Sequence, residues 1–244
     1  MNNYVINIMS FYPQKATIFP SLLTLPTVSK LIFPATLPTH PQKGIELNYA
    51  SEFDFNLVPQ EFSAESQIRI PLYGKNGIKF SCSIDEGEEI IVPNVVNFKF
   101  NSEHLDRGIV SLDKMLALLA EVIPVFQGVH ASVYCQDLDA EPRYYRTTNS
   151  RYYPIEINWV NYFGAEIVNI LGRKRFDVLK SCAYKYDFHD GILVILQDDP
   201  FDLDNSEHKK RASQAEVEVG FLELGKEQLA GVSVEGRSLY NNPI

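Results

Sequence analysis

The sequence has few cysteines, and they are widely spaced. The chain holds three, Cys82, Cys135 and Cys182, so no CxxC pair is present. This spacing excludes a zinc knuckle and a disulfide framework of the kind that staples small secreted proteins. Free thiols are typical of a reducing compartment, so the cysteines favour the cytoplasm.

Long apolar runs are also missing. No stretch approaches the roughly 20 apolar residues that a membrane helix needs. Residues 1–11 lack the basic start and the apolar core of a secretory signal. We therefore expect a cytoplasmic protein that has no membrane partner.

The common catalytic signatures are absent as well. No two of the five histidines lie four residues apart, as a helical zinc face requires. No serine lies in a Gly-x-Ser-x-Gly elbow, and no glycine-rich loop follows a predicted strand to cradle a phosphate. We predict that the protein is not an enzyme and uses no cofactor and no metal. An enzyme with a dispersed active site stays open as the alternative.

Acidic residues are missing from the first 43 positions and are in excess elsewhere. The formal net charge is −9. Residues 44–104 and residues 185–244 carry a net charge of −6 each, whereas residues 105–184 are balanced. An acidic protein repels nucleic acid and anionic lipid, and it attracts basic molecules. We therefore predict a basic protein partner and no nucleic acid.

The N-terminal segment, residues 1–43, is rich in proline. It holds six of the 14 prolines amid apolar residues. Proline lacks an amide N–H and biases its predecessor toward extended backbone, which excludes long helices. The segment is too apolar for a solvated linker. We predict an extended proline-rich arm, or edge strands, packed on the body of the protein, and an arm that docks on a second subunit is the alternative.

The remainder, residues 44–244, predicts a single α+β domain, β-rich over 44–100 and mixed α/β over 101–229. Apolar and polar residues alternate between residues 46 and 100, as in half-buried strands. Asn76-Gly77 separates two such runs and predicts a hairpin. We expect largely antiparallel sheet. Apolar residues at helical spacing predict about three helices, near 112–123, 165–171 and 206–222.

Capping residues, glycines and prolines predict where these helices begin and end. Ser111 is a candidate N-cap for the first helix, and Pro124 should end that helix. Asp204 with Glu207 matches a capping box for the last helix, which Gly225 should end. Alternation further predicts strands over 53–57 and 155–159 and a hairpin of 182–186 with 192–196.

An acidic cluster follows the last predicted strand. Asp198, Asp199, Asp202 and Asp204 lie between that strand and the last helix. Carboxylates here could hold Mg²⁺ or Ca²⁺, form a capped loop, or present an acidic contact surface. The spacing lacks the glycine and the terminal Glu of an EF-hand, so we predict no tight metal binding. We assign Asp198, Asp199 and Asp202 to partner binding.

Arginine and tyrosine are interleaved in one polar loop. The two runs are Arg143-Tyr144-Tyr145-Arg146 and Arg151-Tyr152-Tyr153. These residue types bind single-stranded nucleic acid, and they are also hot spots of protein interfaces. Ordinary loop packing is the third interpretation. We predict that partner contacts come from Arg143, Tyr144, Tyr145, Arg146 and Tyr152.

Two stretches resemble the immunity proteins of bacterial polymorphic toxin systems. Residues 157–164 contain a Trp-x-x-Tyr strand end, Trp159 and Tyr162, that leads into a helix. Residues 191–202, followed by 205–208, contain a hairpin strand and an acidic Asp-Pro turn before the final helix. The resemblance extends over residues 128–224. It implies a protein that binds one cognate toxin stoichiometrically and blocks it, without chemistry of its own.

The leading hypothesis is therefore an immunity protein that neutralises a cognate bacterial toxin. A basic toxin such as a nuclease fits the acidic charge, because opposite charges speed association. The alternatives are an enzyme with a dispersed active site and a structural subunit of a phage or secretion assembly, which the proline-rich arm suggests.

Overall fold

The structure, a computed structural model, divides the chain into two compact units, Met1–Ala131 and Ser132–Ile244. The residues that it describes are 1–38, 44–58, 63–64, 67–87, 93–136, 144–146 and 152–221.

An antiparallel sheet forms the base of the first unit. Its strands are β1 (Asn3–Ser10), β2 (Ala35–Pro38), β3 (Gly44–Leu47), β4 (Ser63–Ala64), β5 (Gln67–Gly74), β6 (Lys79–Asp85) and β7 (Asn94–Asn101). The strand order is β1-β7-β6-β5-β2-β3, and β4 pairs with β5. Strand β1 pairs with β7 along its whole length, from Asn3 opposite Asn101 to Ser10 opposite Asn94.

One face of this sheet is apolar, because side chains alternate between the two faces of a strand. Phe80 and Phe98 lie opposite each other on this face with ring centroids 5.2 Å apart, and both are buried. The helices of the unit are α1 (Ile18–Leu23), α2 (Pro26–Ile32), α3 (Ser102–Asp106) and α4 (Leu112–Phe126). Helices α1 and α2 pack on α4, and α2 and α4 also contact the sheet.

The predicted extended N-terminal arm is wrong. Residues 3–38 form two sheet strands and two helices. Pro26 is the first residue of α2, and Pro20 is the third residue of α1. Amides in the first turn of a helix have no partner within the helix, so proline is tolerated there. The prolines at these positions therefore lie in the first turns of helices of six and seven residues, which agrees with the expected absence of long helices but not with an extended arm.

The predicted fold class is also wrong in its number of helices. The chain is α+β, but its described part contains seven α-helices instead of about three. Helices α1, α2 and α3 are five to seven residues long. Such helices span two turns or fewer, so they show no repeated apolar spacing from which a helix is predicted.

The boundaries of α4 agree with the prediction at one end only. Ser111 is the N-cap, and its hydroxyl accepts a hydrogen bond from the Lys114 N–H at 3.3 Å. The helix does not end at Pro124 but continues to Phe126, followed by Gln127 at φ 53°. Pro124 removes one backbone hydrogen bond, but it lies in the last turn, where only two further residues follow.

The second unit contains four sheet strands in the order β12-β13-β11-β8. Its strands are β8 (His130–Cys135, of which the first two residues belong to the first unit), β11 (Val160–Phe163), β12 (Tyr184–Phe188) and β13 (Gly191–Ile195). Strands β9 (Tyr144–Arg146) and β10 (Tyr152–Pro154) form a separate antiparallel pair. Helices α5 (Ala165–Leu171), α6 (Arg173–Asp177) and α7 (Ser206–Val219) complete the unit.

Helix α7 is capped by a different residue from the one predicted. The side chain of Asn205, not of Asp204, accepts hydrogen bonds from the N–H groups of Glu207 and His208, at 3.0 and 3.4 Å. The helix ends at Gly220, whose φ of 81° is the left-handed conformation that glycine favours. The predicted end at Gly225 is therefore wrong.

Both predicted hairpins are confirmed, whereas two predicted strands are not. Strands β5 and β6 pair across Asn76-Gly77, and β12 and β13 pair across residues 189–190. Residues 55–57 form a 3₁₀ turn in which the Asp54 carboxylate accepts a hydrogen bond from the Asn56 N–H. Residues 155–159 have no regular structure, and the strand begins only at Val160. Alternation alone did not distinguish these segments from strands.

Candidate protein-binding site

The acidic cluster forms a loop, residues 198–204, between β13 and α7. Its start is anchored to buried structure. The Trp159 indole N–H donates to the Gln197 carbonyl oxygen at 2.9 Å, and the Leu196 N–H donates to the Trp159 carbonyl oxygen at 2.9 Å. The Gln197 side-chain amide donates to the Asp199 carbonyl oxygen at 3.0 Å. We refer to residues 198–204 as the acid loop.

The end of the acid loop is held against the first turns of α7. The Asp202 N–H donates to Nδ1 of His208 at 3.0 Å, so this nitrogen acts as an acceptor. The Asp202 carboxylate accepts from the Asp204 N–H at 3.0 Å. The rings of Phe201 and His208 lie 5.7 Å apart. These contacts fix the backbone of the loop, as the capped-loop interpretation expects.

The structure places two of the predicted partner-binding aspartates on the surface. Asp198 and Asp199 are exposed, whereas Asp202 is half-buried. The Asp198 carboxylate accepts a hydrogen bond from the Tyr184 hydroxyl, which raises the pKa of Tyr184. Among the described residues, no three His, Cys, Asp or Glu side chains are grouped closely enough to hold a metal ion.

Strand β12 presents tyrosines to solvent beside the acid loop. Tyr184 and Tyr186 are 48% and 42% exposed. They are two residues apart, so they lie on the same face of the strand. Phe188 continues this face, with its ring centroid 6.4 Å from that of Tyr186. Strand β12 is the last in the strand order of its sheet.

The opposite face of β12 is fastened to helix α6. The Lys185 ammonium donates to the carbonyl oxygens of Phe176, Asp177 and Leu179 at 2.7, 3.0 and 3.3 Å. The Phe176 and Asp177 carbonyls belong to the C-terminal end of the helix, where a positive charge is favourable, and Leu179 lies just after that end. Lys185 therefore helps to hold β12 in place.

The hairpin turn next to β12 contains a tyrosine–carboxylate pair, in which Tyr162 is buried and Asp190 is exposed. The Tyr162 hydroxyl donates to the Asp190 carboxylate. Burial of Tyr162 and this hydrogen bond to Asp190 raise the pKa of Tyr162 well above its ordinary value. The carboxylate of Asp187, on the same hairpin, pairs with the guanidinium of Arg173, which belongs to α6.

These features form one surface, which we call the acidic edge. It consists of the exposed tyrosines Tyr184 and Tyr186 together with the nearby carboxylates Asp190, Asp198 and Asp199.

The arginine–tyrosine loop is described only in part. Residues 144–146 pair with residues 152–154, with Tyr152 opposite Arg146, so the two runs meet in one strand pair. Arg143 and Arg151 lie outside the described residues. The assignment of Arg143, Tyr144, Tyr145, Arg146 and Tyr152 to partner binding stays a prediction.

The sequence interpretation missed Tyr184 and Tyr186. A signal was present, since the two tyrosines flank Lys185 in a predicted strand that is close in sequence to the acidic cluster. An edge strand and a central strand can show the same alternation, however, and only the strand order distinguishes them.

None of the described helices is both long enough and apolar enough to cross a membrane.

Comparison with known proteins shows a similarity of structure. No family model and no curated protein matches the sequence. A solved structure, described as the Pseudomonas aeruginosa T6SS protein PA0821, matches with a TM-score of 0.54 at 10% sequence identity. The match covers 95% of this chain and 89% of the other. At this identity the similarity shows a shared fold.

Proposed function

We propose that this protein is an immunity protein, which binds a cognate bacterial toxin stoichiometrically and blocks it without performing chemistry. The observation that carries the proposal is the acidic edge, where Tyr184 and Tyr186 are exposed on a fixed strand beside Asp198 and Asp199. Exposed aromatic side chains with a polar rim are the usual anchors of a protein interface.

The chemistry of the acidic edge favours a basic partner. Asp198 and Asp199 are exposed, so their charge reaches into solvent and can accelerate the approach of a cationic surface. A toxin that acts on nucleic acid is commonly basic, because it must bind phosphates. In this proposal the acidic edge binds the toxin but neither nucleic acid nor membrane.

The structural similarity supports a role related to bacterial secretion. The matched Pseudomonas aeruginosa protein is described as a T6SS protein, which associates the fold with bacterial secretion. An immunity protein and a secretion-system component are both compatible with that setting. The acidic edge is the reason for preferring the immunity protein.

The proposal can be tested with the protein encoded next to this chain's gene. Binding of that protein should be measured by surface plasmon resonance, and its toxicity should be compared in cells with and without this chain. We expect a one-to-one complex and loss of toxicity. Failure of every neighbouring gene product to bind would contradict the proposal.

The acidic edge predicts two different kinetic effects. Tyr184→Ala or Tyr186→Ala should cost about 2 kcal/mol or more, mainly through faster dissociation. The double variant Asp198→Asn, Asp199→Asn should bind the toxin more slowly at low salt and show little change at high salt. Tyr49→Ala is the matched control, because Tyr49 is 69% exposed in the first unit.

The arginine–tyrosine loop requires its own variants. Tyr145→Ala and Tyr152→Ala test the anchors predicted from the sequence. If these variants weaken capture and Tyr184→Ala does not, the protein is still an immunity protein but its anchor lies in that loop.

A structural subunit of a secretion assembly is the second candidate. Among the described strands, β12 pairs only with β13, so one edge of the strand is open to pairing with another chain. This candidate predicts self-assembly at micromolar concentration, which sedimentation velocity would detect and Asp187→Pro would prevent, because the N–H of residue 187 faces the open edge of β12. A monomer that captures the neighbouring gene product favours the immunity protein.

A further inference from the structure

The first unit carries a group of cations on the face of its sheet that is opposite to the face of Phe80 and Phe98. Lys79 on β6 lies directly opposite Lys99 on β7. Arg69 on β5 is on the same face, and its charge and that of Lys79 both contribute to lowering the pKa of Lys99. We refer to Arg69, Lys79 and Lys99 as the cationic face.

The cationic face belongs to an acidic part of the sequence. Residues 44–104 carry a net charge of −6 and hold four basic residues, of which three belong to this face. The fourth, Lys75, forms an ion pair with Glu46 at 3.0 Å. None of the three forms an ion pair with a carboxylate that the structure describes. On the same face, the Asp85 carboxylate accepts a hydrogen bond from the Gly87 N–H.

This arrangement opposes the stability of the free protein. Like charges directly opposite each other on neighbouring strands are destabilising. Lys99 is also half-buried, and burial is the largest cause of its lowered pKa, ahead of the charges of Arg69 and Lys79. A bound anion would remove both costs, because it would supply the missing opposite charge and favour the protonated amine.

Neutral polar side chains lie between the cations. In the strand register, the row formed by Ser81, Asn97 and Asn7 separates the row of Lys79 and Lys99 from the row of Arg69. Asn7 donates to the Asn97 side-chain oxygen at 2.7 Å. Asn7 and Ser81 are buried, so in this row only the half-buried Asn97 is accessible to a ligand. Its side-chain N–H group, beside the lysines, can donate to a phosphate oxygen.

We propose that the cationic face binds a phosphate monoester, carried either by a small phosphorylated molecule or by a lipid headgroup. The dianion matches the excess positive charge better than a single carboxylate. The planar guanidinium of Arg69 can engage two phosphate oxygens, and the lysines act as point charges. The aromatic ring of Tyr73, 5.7 Å from the Lys79 ammonium, borders the same row.

The site should be tested by calorimetric titration with inorganic phosphate and with glycerol phosphate, at constant ionic strength set by sodium chloride. We expect saturable binding by the wild-type protein and about tenfold weaker binding by Lys99→Met and by Lys79→Met. Lys99→Arg should retain binding, because it keeps the charge. Lys75→Met is the matched control and should bind as the wild type does.

Vesicles distinguish the two sources of the phosphate. Binding to vesicles of phosphatidylcholine with phosphatidic acid, but not of phosphatidylcholine alone, would assign the site to a lipid headgroup. Binding of glycerol phosphate without vesicle binding would assign it to a small molecule. The proposal is wrong if neither the phosphate compounds nor the phosphatidic acid vesicles bind, or if only a polynucleotide binds. It is also wrong if Lys75→Met weakens binding as much as Lys99→Met. None of these outcomes bears on toxin capture at the acidic edge.

Discussion

The cationic face of the first unit and the acidic edge of the second arrange charge in opposite ways. On the cationic face, Lys79 and Lys99 lie opposite each other, and neither pairs with a described carboxylate. On the acidic edge, the Asp190 and Asp198 carboxylates each accept a hydrogen bond from a tyrosine hydroxyl. The first arrangement weakens the free protein and is relieved by a ligand. The second stabilises the free protein, so a partner must add contacts at the exposed rings.

The largest expected effect comes from removing the packing beneath the acidic edge. Trp159→Ala should cost about 3–5 kcal/mol, because it opens a cavity in place of a buried indole. It also removes the donor to the Gln197 carbonyl oxygen. Urea unfolding followed by circular dichroism measures the loss. Trp159→Phe keeps a ring and should cost about 1–3 kcal/mol. A cost below 1 kcal/mol for the alanine variant would show that this packing does not support the edge.

The next effect tests whether paired carboxylates stabilise the second unit. Asp190→Ala should cost about 1–3 kcal/mol, because it leaves the buried Tyr162 hydroxyl without its acceptor. Tyr162→Phe removes the donor instead. If the pair acts as a unit, the double variant should cost less than the sum of the two single variants. Additive costs would contradict a stabilising pair.

Alkaline pH should weaken the same pair. Burial and the hydrogen bond to Asp190 raise the pKa of Tyr162 above the ordinary value of 10.0. The unfolded chain then ionises before the folded one, so the contribution is complete below pH 10 and is lost as the pH rises further. Unfolding at a series of pH values should show this loss for the wild type and not for Tyr162→Phe. The exposed Tyr49→Phe is the control and should behave as the wild type does.

The smallest effect concerns the cationic face and has the opposite sign. Without phosphate, Lys99→Met should stabilise the protein by roughly 0.2–1 kcal/mol, because it removes a like-charge pair. The pKa of Lys99 is lowered from 10.5 in the folded protein, so the wild type gains stability as the pH rises toward that value. The difference in the free energy of unfolding between the wild type and Lys99→Met should therefore disappear at alkaline pH. A variant less stable than the wild type at neutral pH would show that the lysines do not repel each other.

Local features of the fold could be predicted from the sequence. The hairpin at Asn76-Gly77 and the N-cap at Ser111 both depend on residues that are close in the chain. The position of β1 beside β7 could not be predicted, because the paired residues Asn3 and Asn101 are far apart in sequence. The short helices α1 and α2 were missed because they lack a repeated period.

The same limit applies to the sites. The acid loop was found because its aspartates are consecutive or nearly so, and the cap at Asn205 differs by one residue from the prediction. The cationic face was not found, because Arg69, Lys79 and Lys99 come from three strands and meet only through the strand register. In the sequence they are isolated bases in an acidic region.

The hydrogen bond between Trp159 and the Gln197 carbonyl oxygen gives the protein an intrinsic optical probe. Trp159 is the single tryptophan of the chain, so all indole fluorescence arises from one buried ring. Its partner, Gln197, directly precedes Asp198 of the acid loop. Docking that shifts the loop should change the emission spectrum, whereas phosphate binding at the cationic face should leave it constant. Unlabelled protein can thus report in real time when the acidic edge is occupied.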